Sequence, residues 1–530
     1  MTGATRKAPT DRRRALATTI LVAAAFATLA CTSAAAATIT KNRVAAAVPK
    51  LEKLAKKIVA DGGAPGLAIG IVYKDEVIYL GGFGVRDTKN SGAVDADTVF
   101  QLASLSKPIS STIIAALVSD GVVDWGSRIS DLDPGFQLHN AYPTAQVTIR
   151  DLLAHRSGLS GNAGNDLEGL GFARDHILHQ LRYLKPTSSF RAGYAYSNFG
   201  FTEAAVAAAK PTGKAWEDVA QEKLYGPLGM KSTSSRNADF VKHANRASLH
   251  VRVNGKWTPL VTRNPDPQSP AGGVSSNVRD LAQWMRLELG DGKYEGKQLI
   301  KETALAATHV PLMERGNHAV TKAPSFYGLG WNISYGRYGM FWNHAGAFSQ
   351  GARTVANLMP SEQLGIVVLS NAFPTGVPDA LASSFFDLVF TGTLTRDWVP
   401  PWNGVYESIM GSAIEAAKAA YGKPPAAASP ALPATAYAGT YRNDYLGTAT
   451  IVANKGSLTL KLGPKGIKAY KLEHFDRDLF TYFPDAEAPD IPSGVTFQIG
   501  PDQKASQIMI ENLNDDGQGA LNRVEKSPNK

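Results

Sequence analysis

The chain has 530 residues, 44% of them hydrophobic and 19% charged, with 50 Gly and 30 Pro, a composition inside the ordinary globular range that excludes collagen, coiled coil and intrinsic disorder. Its formal net charge of +9 falls to +5 once the first 37 residues, with five basic and one acidic side chain, are set aside. What remains has no run of Lys and Arg interleaved with aromatic residues, so no nucleic-acid partner is expected.

Arg12, Arg13 and Arg14 precede an apolar run from Ala15 to Ala30 and then the small residues Ala35, Ala36 and Ala37. That order predicts a secretory signal over residues 1–37, and hence an exported, periplasmic or secreted, protein. The run is shorter than the roughly 20 residues a membrane span needs and nothing comparable follows, so no stable membrane span is expected. Cys31, the only cysteine, raises a lipid-anchor reading, but Thr28 stands where a lipid-attachment site takes an aliphatic residue. The arginine run leaves a twin-arginine route open. Beyond the signal, disulfides and thiol or Cys-zinc chemistry are excluded.

Val44, Val48, Leu51, Leu54 and Ile58 recur at helical spacing and predict an amphipathic helix that Gly62, Gly63 and Pro65 end. Leu67 to Tyr73 and Val77 to Leu80 then read as two strands about a turn at Lys74 and Asp75. Ile109, Ile113 and Leu117 mark a further helix, and Thr354 to Leu358 and Gly365 to Ser370 are β-rich runs joined by Pro360, Ser361 and Glu362. Helices with hairpin-connected strands predict an α+β fold over residues 38–422, an antiparallel sheet flanked by helices. Residues 423–436, rich in proline and alanine, read as a semi-rigid linker. After it, Ala449 to Val452, Leu458 to Leu462, Leu479 to Phe483, Val495 to Ile499 and Ile508 to Ile510 alternate with turn residues and predict a small all-β module over 437–530.

Three short elements carry chemistry. In Phe100-Gln101-Leu102-Ala103-Ser104-Leu105-Ser106-Lys107-Pro108 a hydroxyl and an amine stand three residues apart at the mouth of an apolar helix. Positions i and i+3 are neighbours on a helix, so the amine reaches the hydroxyl. Pro108 places the helix start close to Ser104, and the positive end of the helix favours an uncharged Lys107 and a serine alkoxide. Taken alone, the pair is equally read as a helix cap and a solvated charge, and Ser527 with Lys530 matches the same pattern. In Tyr196-Ser197-Asn198 an extended backbone puts the phenol and the amide on one face, suited to proton transfer and to holding a carbonyl or amide. Tyr441-Arg442-Asn443 is a second formal match. In His344-Ala345-Gly346 the same period puts His344 beside Gly346, whose missing side chain would let a substrate lie against the backbone. The Ala347 N–H then becomes an oxyanion donor together with that of Ser104. A hydrogen-bonded structural histidine is the bland alternative.

The elements occur in the order Ser, Tyr, His, 92 and 148 residues apart, and the decoys run in the wrong order. Here the chain resembles the serine β-lactamase and penicillin-binding protein superfamily, in its class C-like branch, whose motifs are Ser-x-x-Lys, Tyr-x-Asn and Lys/His-x-Gly. The resemblance extends to Leu152-Leu153-Ala154-His155-Arg156-Ser157-Gly158-Leu159 and to Ala271-Gly272-Gly273-Val274-Ser275-Ser276, over about residues 44 to 400. The last hundred residues resemble a β-rich module of unassigned function attached to some such hydrolases. The resemblance implies a β-lactamase-like fold with a helical subdomain, Ser104 as acylated nucleophile and Lys107 as its activating amine. It further implies Tyr196 as proton relay, Asn198 as a substrate-orienting amide, oxyanion donors at Ser104 and Ala347, and neither metal nor organic cofactor. His155 reads as structural. The substrate it implies is a small-molecule or peptide ester or amide, with a β-lactam or D-amino-acid peptide included.

His344 stands where many relatives have lysine, and an imidazole is largely neutral at pH 7, so recognition of a free carboxylate there is disfavoured. No separate carboxylate base for deacylation is identifiable. The rival readings are a receptor that acylates without turnover, a D-alanyl-D-alanine carboxypeptidase and a true β-lactamase. Ala347-Phe348-Ser349-Gln350-Gly351 nearly matches the nucleophile elbow of another hydrolase fold, but a strand rather than a helix is expected after it. His176 and His179 lack the carboxylate pattern of a metal site.

Overall fold

A computed structural model describes residues 39–484 and 491–524. The expected signal, with Cys31, and the Ser527 to Lys530 pattern lie outside the described residues. Helix α1 (Lys41–Ala60) starts at Thr40, whose side chain accepts from the Arg43 N–H and so satisfies a donor that a helix start leaves open. It buries Val44, Ala47, Leu51, Ala55 and Ile58 as one stripe.

The strands that follow are β1 (Gly66–Tyr73), β2 (Glu76–Gly84), β3 (Met313–Asn317), β4 (Pro324–Tyr327), β5 (Asn332–Gly336), β6 (Gly339–Phe348), β7 (Ala352–Met359) and β8 (Leu364–Ser370). They form one antiparallel sheet in the order β2-β1-β8-β7-β6-β5-β4-β3. The longer or site-forming helices include α2 (Ser106–Ser119), α3 (Asn165–Gly169), α4 (Asn198–Ala209), α5 (Val278–Leu289), α6 (Val377–Thr391) and α7 (Val399–Tyr421). Both faces of the sheet are covered, which is why β1 is buried along its whole length. Leu67, Ile69 and Ile71 join a core with α1 and α6, while Ala68 and Val72 face a second core with α2 and α5, as side chains alternating along a strand require. Between β2 and β3 the chain is mainly helical, and α2 and α5 of that stretch lie against the sheet. The expected antiparallel sheet flanked by helices is therefore present.

Residues 423–433 form neither helix nor strand, yet they lie along the next module: Ser429 N–H donates to Asp476 and Leu432 N–H to the Tyr437 hydroxyl. That module is a closed antiparallel barrel of β9 (Gly439–Asn443), β10 (Gly447–Asn454), β11 (Ser457–Leu462), β12 (Lys468–Asp476), β13 (Leu479–Tyr482), β14 (Ser493–Ile499), β15 (Ala505–Ile510) and β16 (Ala520–Val524). Its first strand pairs with its last, Thr440 opposite Val524, so no edge is left open. Five of these strands coincide with the expected runs. The other three were not legible from pattern. Strand β12, for instance, carries charged, largely exposed residues between its few buried ones. Tyr441, Tyr445 and Leu446 of the barrel join Leu167, Leu170 and Leu181 in one continuous apolar cluster.

Candidate active site

Phe100 and Gln101 pair with Ser276 and Ser275, and the chain then makes a short turn at Ala103–Leu105 into α2. Ala103 takes a φ of 49°, a left-handed conformation that costs a non-glycine residue on the order of 1–2 kcal/mol. Four hydrogen bonds hold it. Leu102 N–H donates to the Val274 carbonyl at 2.9 Å, and the Thr354 hydroxyl to the Leu102 carbonyl at 2.7 Å. The Ser106 hydroxyl donates to the Ala103 carbonyl at 2.6 Å and accepts from Val274 N–H at 2.9 Å. Ser104 is thereby set, half-buried, at one end of a cavity of about 930 Å³.

Lys107, one turn on, is fully buried. Its Nζ lies 3.3 Å from Ser104 Oγ and donates to Asn198 Oδ1 at 2.7 Å and to the Ala271 carbonyl at 2.9 Å. It also stands 4.4 Å from the centre of the Tyr196 ring. Burial holds its pKa well below the ordinary lysine value, and the Glu168 carboxylate opposes that shift.

Tyr196 lies on the extended segment that enters α4, and Ser197 caps that helix by accepting from Gly200 N–H. Burial raises the Tyr196 phenol, and a hydrogen bond with Ser104 opposes the rise. Asn198 is the first residue of α4 rather than part of an extended strand, and its amide is occupied: Oδ1 takes Lys107, while Nδ2 donates to Asn165 Oδ1 at 3.3 Å. The expected substrate-orienting amide is thus a clamp on the lysine in this structure. His155 packs 4.5 Å from the Tyr196 ring, and its Nδ1 accepts from Ser197 N–H at 3.0 Å. Burial keeps its pKa well below the usual histidine range, and Lys107 adds to this when protonated. The loop histidine therefore fixes the tyrosine.

On β6, residues 344, 346 and 348 are buried while 343, 345 and 347 face the other side. His344 Nδ1 lies 2.8 Å from the Ala345 carbonyl, so it carries the proton, and Nε2 accepts from the Tyr327 hydroxyl at 3.0 Å. Burial, then Lys107, depresses its pKa well below the ordinary value; the imidazole is uncharged. Gly346 corrects an expectation. A Cβ there would sit 2.0 Å from the Leu102 carbonyl oxygen and 2.9 Å from Leu105 N, so its open side is filled by the backbone of the serine turn, not left for a substrate. Ala347 does line the cavity. Beyond Asn343, which pairs with Asn332, β6 pairs with β7 alone among the described strands, over residues 344–348.

Sequence reasoning missed several residues. Tyr327, fully buried, holds His344, and Gly330 beside it lies against the Lys107 backbone. The run Tyr327-Gly328-Leu329-Gly330-Trp331, glycine between aromatics, was the available sign of such close packing. Glu168 lies under the site with a side chain 7% exposed, paired with Arg263 at 2.9 Å and accepting from Gln268. Arg315 lines the cavity, 5.5 Å from the Tyr194 ring, and makes no ion pair among the described residues; no motif announced it. The elbow-like run at 347–351 is the tight turn between β6 and β7, with no helix after it.

The β-lactamase family model matches residues 51–385, and a domain of unknown function, DUF3471, matches residues 423–522. The chain is 27% identical to unguisins hydrolase ungD' of Aspergillus campestris over 72% of each chain. It is 25% identical to penicillin-binding protein 4 of Amycolatopsis lactamdurans, over 62% of this chain and 84% of that one. It is 24% identical to the D-alanyl-D-alanine-carboxypeptidase/endopeptidase AmpH of Escherichia coli K12, over 64% of this chain and 88% of the other. Among solved structures, the octameric penicillin-binding protein homologue from Pyrococcus abyssi superposes with a TM-score of 0.55 at 18% identity, over 89% of this chain and 99% of that one; at that identity the likeness speaks to fold.

Proposed function

The chain belongs to the β-lactamase family of serine hydrolases, and on that premise we propose that it is an exported enzyme cleaving an ester or amide through an acyl intermediate on Ser104. The observation that carries this reading is Lys107 Nζ at 3.3 Å from Ser104 Oγ. An uncharged amine with its two N–H bonds committed to Asn198 and the Ala271 carbonyl turns its lone pair to the serine hydroxyl. Ser104 Oγ bonds to the acyl carbon as its proton passes to Nζ. The N–H groups of Ser104 and Ala347 are assigned to the carbonyl oxygen as it gains charge. Tyr196 relays the proton to the leaving oxygen or nitrogen, whose bond to the acyl carbon breaks. Water then adds to that carbon, gives up a proton through the same groups, and Ser104 departs reprotonated, leaving a carboxylic acid product.

The uncharged His344 supports esters, amides or D-amino-acid peptides with no free carboxylate against β6, and the relative named as a carboxypeptidase/endopeptidase supports the amide class. Export rests on the arginine run and the apolar segment after it. The test is covalent labelling with a fluorophosphonate beside turnover of p-nitrophenyl acetate. Ser104→Ala is expected to remove both while the far-UV spectrum stays that of the wild type; labelling that survives in this variant would move the nucleophile elsewhere. Labelling of the wild type without turnover would make the protein a receptor, not an enzyme.

A further inference from the structure

The barrel packs on the hydrolase beside the serine site. Between β9 and β10 the turn carries Tyr445 and Leu446, both buried, and it docks on residues 162–171. The Tyr445 hydroxyl donates to Asp166 Oδ1 at 2.6 Å and accepts from Gly164 N–H at 3.1 Å. Gln180 Nε2 donates to the carbonyls of Asp444 and Tyr445 at 2.6 and 2.7 Å. A second barrel turn takes part: Asn162 donates to Asp515 at 3.2 Å. The surfaces are fitted closely enough that a Cβ on Gly463 would stand 2.3 Å from the Leu170 carbonyl oxygen.

The loop so held reaches the chemistry through a hydrogen bond, in addition to the Glu168 carboxylate described above. Asn165, between the two residues that Tyr445 grips, accepts from Asn198 Nδ2 at 3.3 Å, and the opposite end of the same amide takes Lys107 Nζ at 2.7 Å. Fixing an amide at one end fixes the direction of the oxygen at the other, because the group is planar. Nζ in turn lies 3.3 Å from Ser104 Oγ. A relay of polar contacts therefore runs from the barrel to the nucleophile, across a continuous apolar packing that contains Leu167, Leu170, Tyr445 and Leu446.

We propose that the C-terminal barrel is a positioning element of the serine site, with Tyr445 the positioning residue that, through Asp166, Gly164 and Asn165, aims the Asn198 amide at Lys107. This rests on the assignment of Ser104 and Lys107 above. Displacing a supporting group far from the reacting atoms changes the rate of the chemical step more than the affinity for a small substrate, since the substrate does not touch it.

The test uses the full chain. Tyr445→Phe removes the phenolic oxygen and keeps the ring. Its expected effect is a kcat for p-nitrophenyl acetate lower by roughly tenfold with KM within about twofold, and faster amide hydrogen exchange over residues 162–171 while exchange in the barrel strands is unchanged. Asn165→Ala, which leaves the barrel contacts in place, is expected to reproduce the kcat loss without the change in exchange at Gly164. An unchanged kcat in Tyr445→Phe together with faster exchange in the loop would overturn the proposal, as would a change in KM alone. If Tyr445→Phe unfolds the barrel, Asn165→Ala decides: full activity in that variant overturns the proposal. Ser104→Ala, assayed alongside, separates the two readings, since activity in that variant would sink the serine assignment itself.

Discussion

Lys107 is enclosed on every side, and one carboxylate reaches it from below. Burial removes water from the ammonium form and drives the lysine pKa down, while the Glu168 anion pulls it back up. The sign of the consequence is fixed. With Glu168→Gln that pull disappears, the uncharged amine becomes dominant at lower pH, and the ascending limb of the kcat/KM profile moves towards acid. Initial rates with p-nitrophenyl acetate across a pH series check this, and a limb that stays in place or moves to higher pH counts against Lys107 as the base. Charge in the cavity wall is a separate matter from charge at the base. His344 is neutral and spoken for by Tyr327, so the cation in the wall nearest that tyrosine is Arg315, 5.9 Å from its ring. Arg315→Ala is expected to raise KM about tenfold for acyl substrates bearing a carboxylate, the scale of one charge-assisted hydrogen bond, and to leave KM for p-nitrophenyl acetate within about twofold. Equal changes in both would assign Arg315 to the fold.

At the level of elements, the site depends on how closely β6 lies on the serine turn. Gly346 is the contact point, with the Leu102 carbonyl where a Cβ would go. Gly346→Ala must push the strand from the turn, at a cost of about 1–3 kcal/mol for an overpacked core position. Urea unfolding is expected to show that loss, and fluorophosphonate labelling to slow by roughly tenfold or more; labelling at the wild-type rate in a folded variant would mean that the strand and turn are not coupled. The same glycine marks the limit of reading elements from sequence. Its side of β6 follows from the two-residue period, but what fills that side comes from a residue some 240 positions earlier, which no local pattern reports. The pairing of Ser104 with Lys107 was legible because i and i+3 meet on any helix. The clamp from Asn198 to Lys107 was not, since it joins residues 91 apart. Strands β1, β7 and β8 announce themselves as apolar runs, whereas β3, exposed along most of its length, carries no alternation to find.

Across the whole molecule, the hydrolase and the barrel meet in one apolar cluster, although the composition of residues 423–436 suggested a joint between separate units. The junction was invisible in the sequence because it pairs Asp166 with Tyr445, 279 residues apart. It also carries a titratable group. Burial pushes Asp166 up to about 6 from an ordinary 3.8; the hydrogen bonds from Tyr445 and from Leu167 N–H oppose the rise, and the neighbouring Asp516 adds to it. A carboxyl whose pKa is higher folded than unfolded favours the folded state while protonated, and that advantage is lost as pH rises through about 6. At pH 7.5 the junction therefore bears an ionised, poorly solvated carboxylate. Asp166→Asn removes the charge and keeps an acceptor for the Tyr445 hydroxyl. Relative to wild type, the variant is expected to gain about 1–2 kcal/mol on going from pH 4.5 to pH 7.5, the size of a shift of this order discounted for residual solvent. Because the two modules share a core, the gain should appear in a single urea transition followed by both near-UV and far-UV signals. Parallel pH dependences for the two proteins would show that Asp166 does not titrate at the junction, and two resolved transitions would show that the barrel and the hydrolase fold independently of each other.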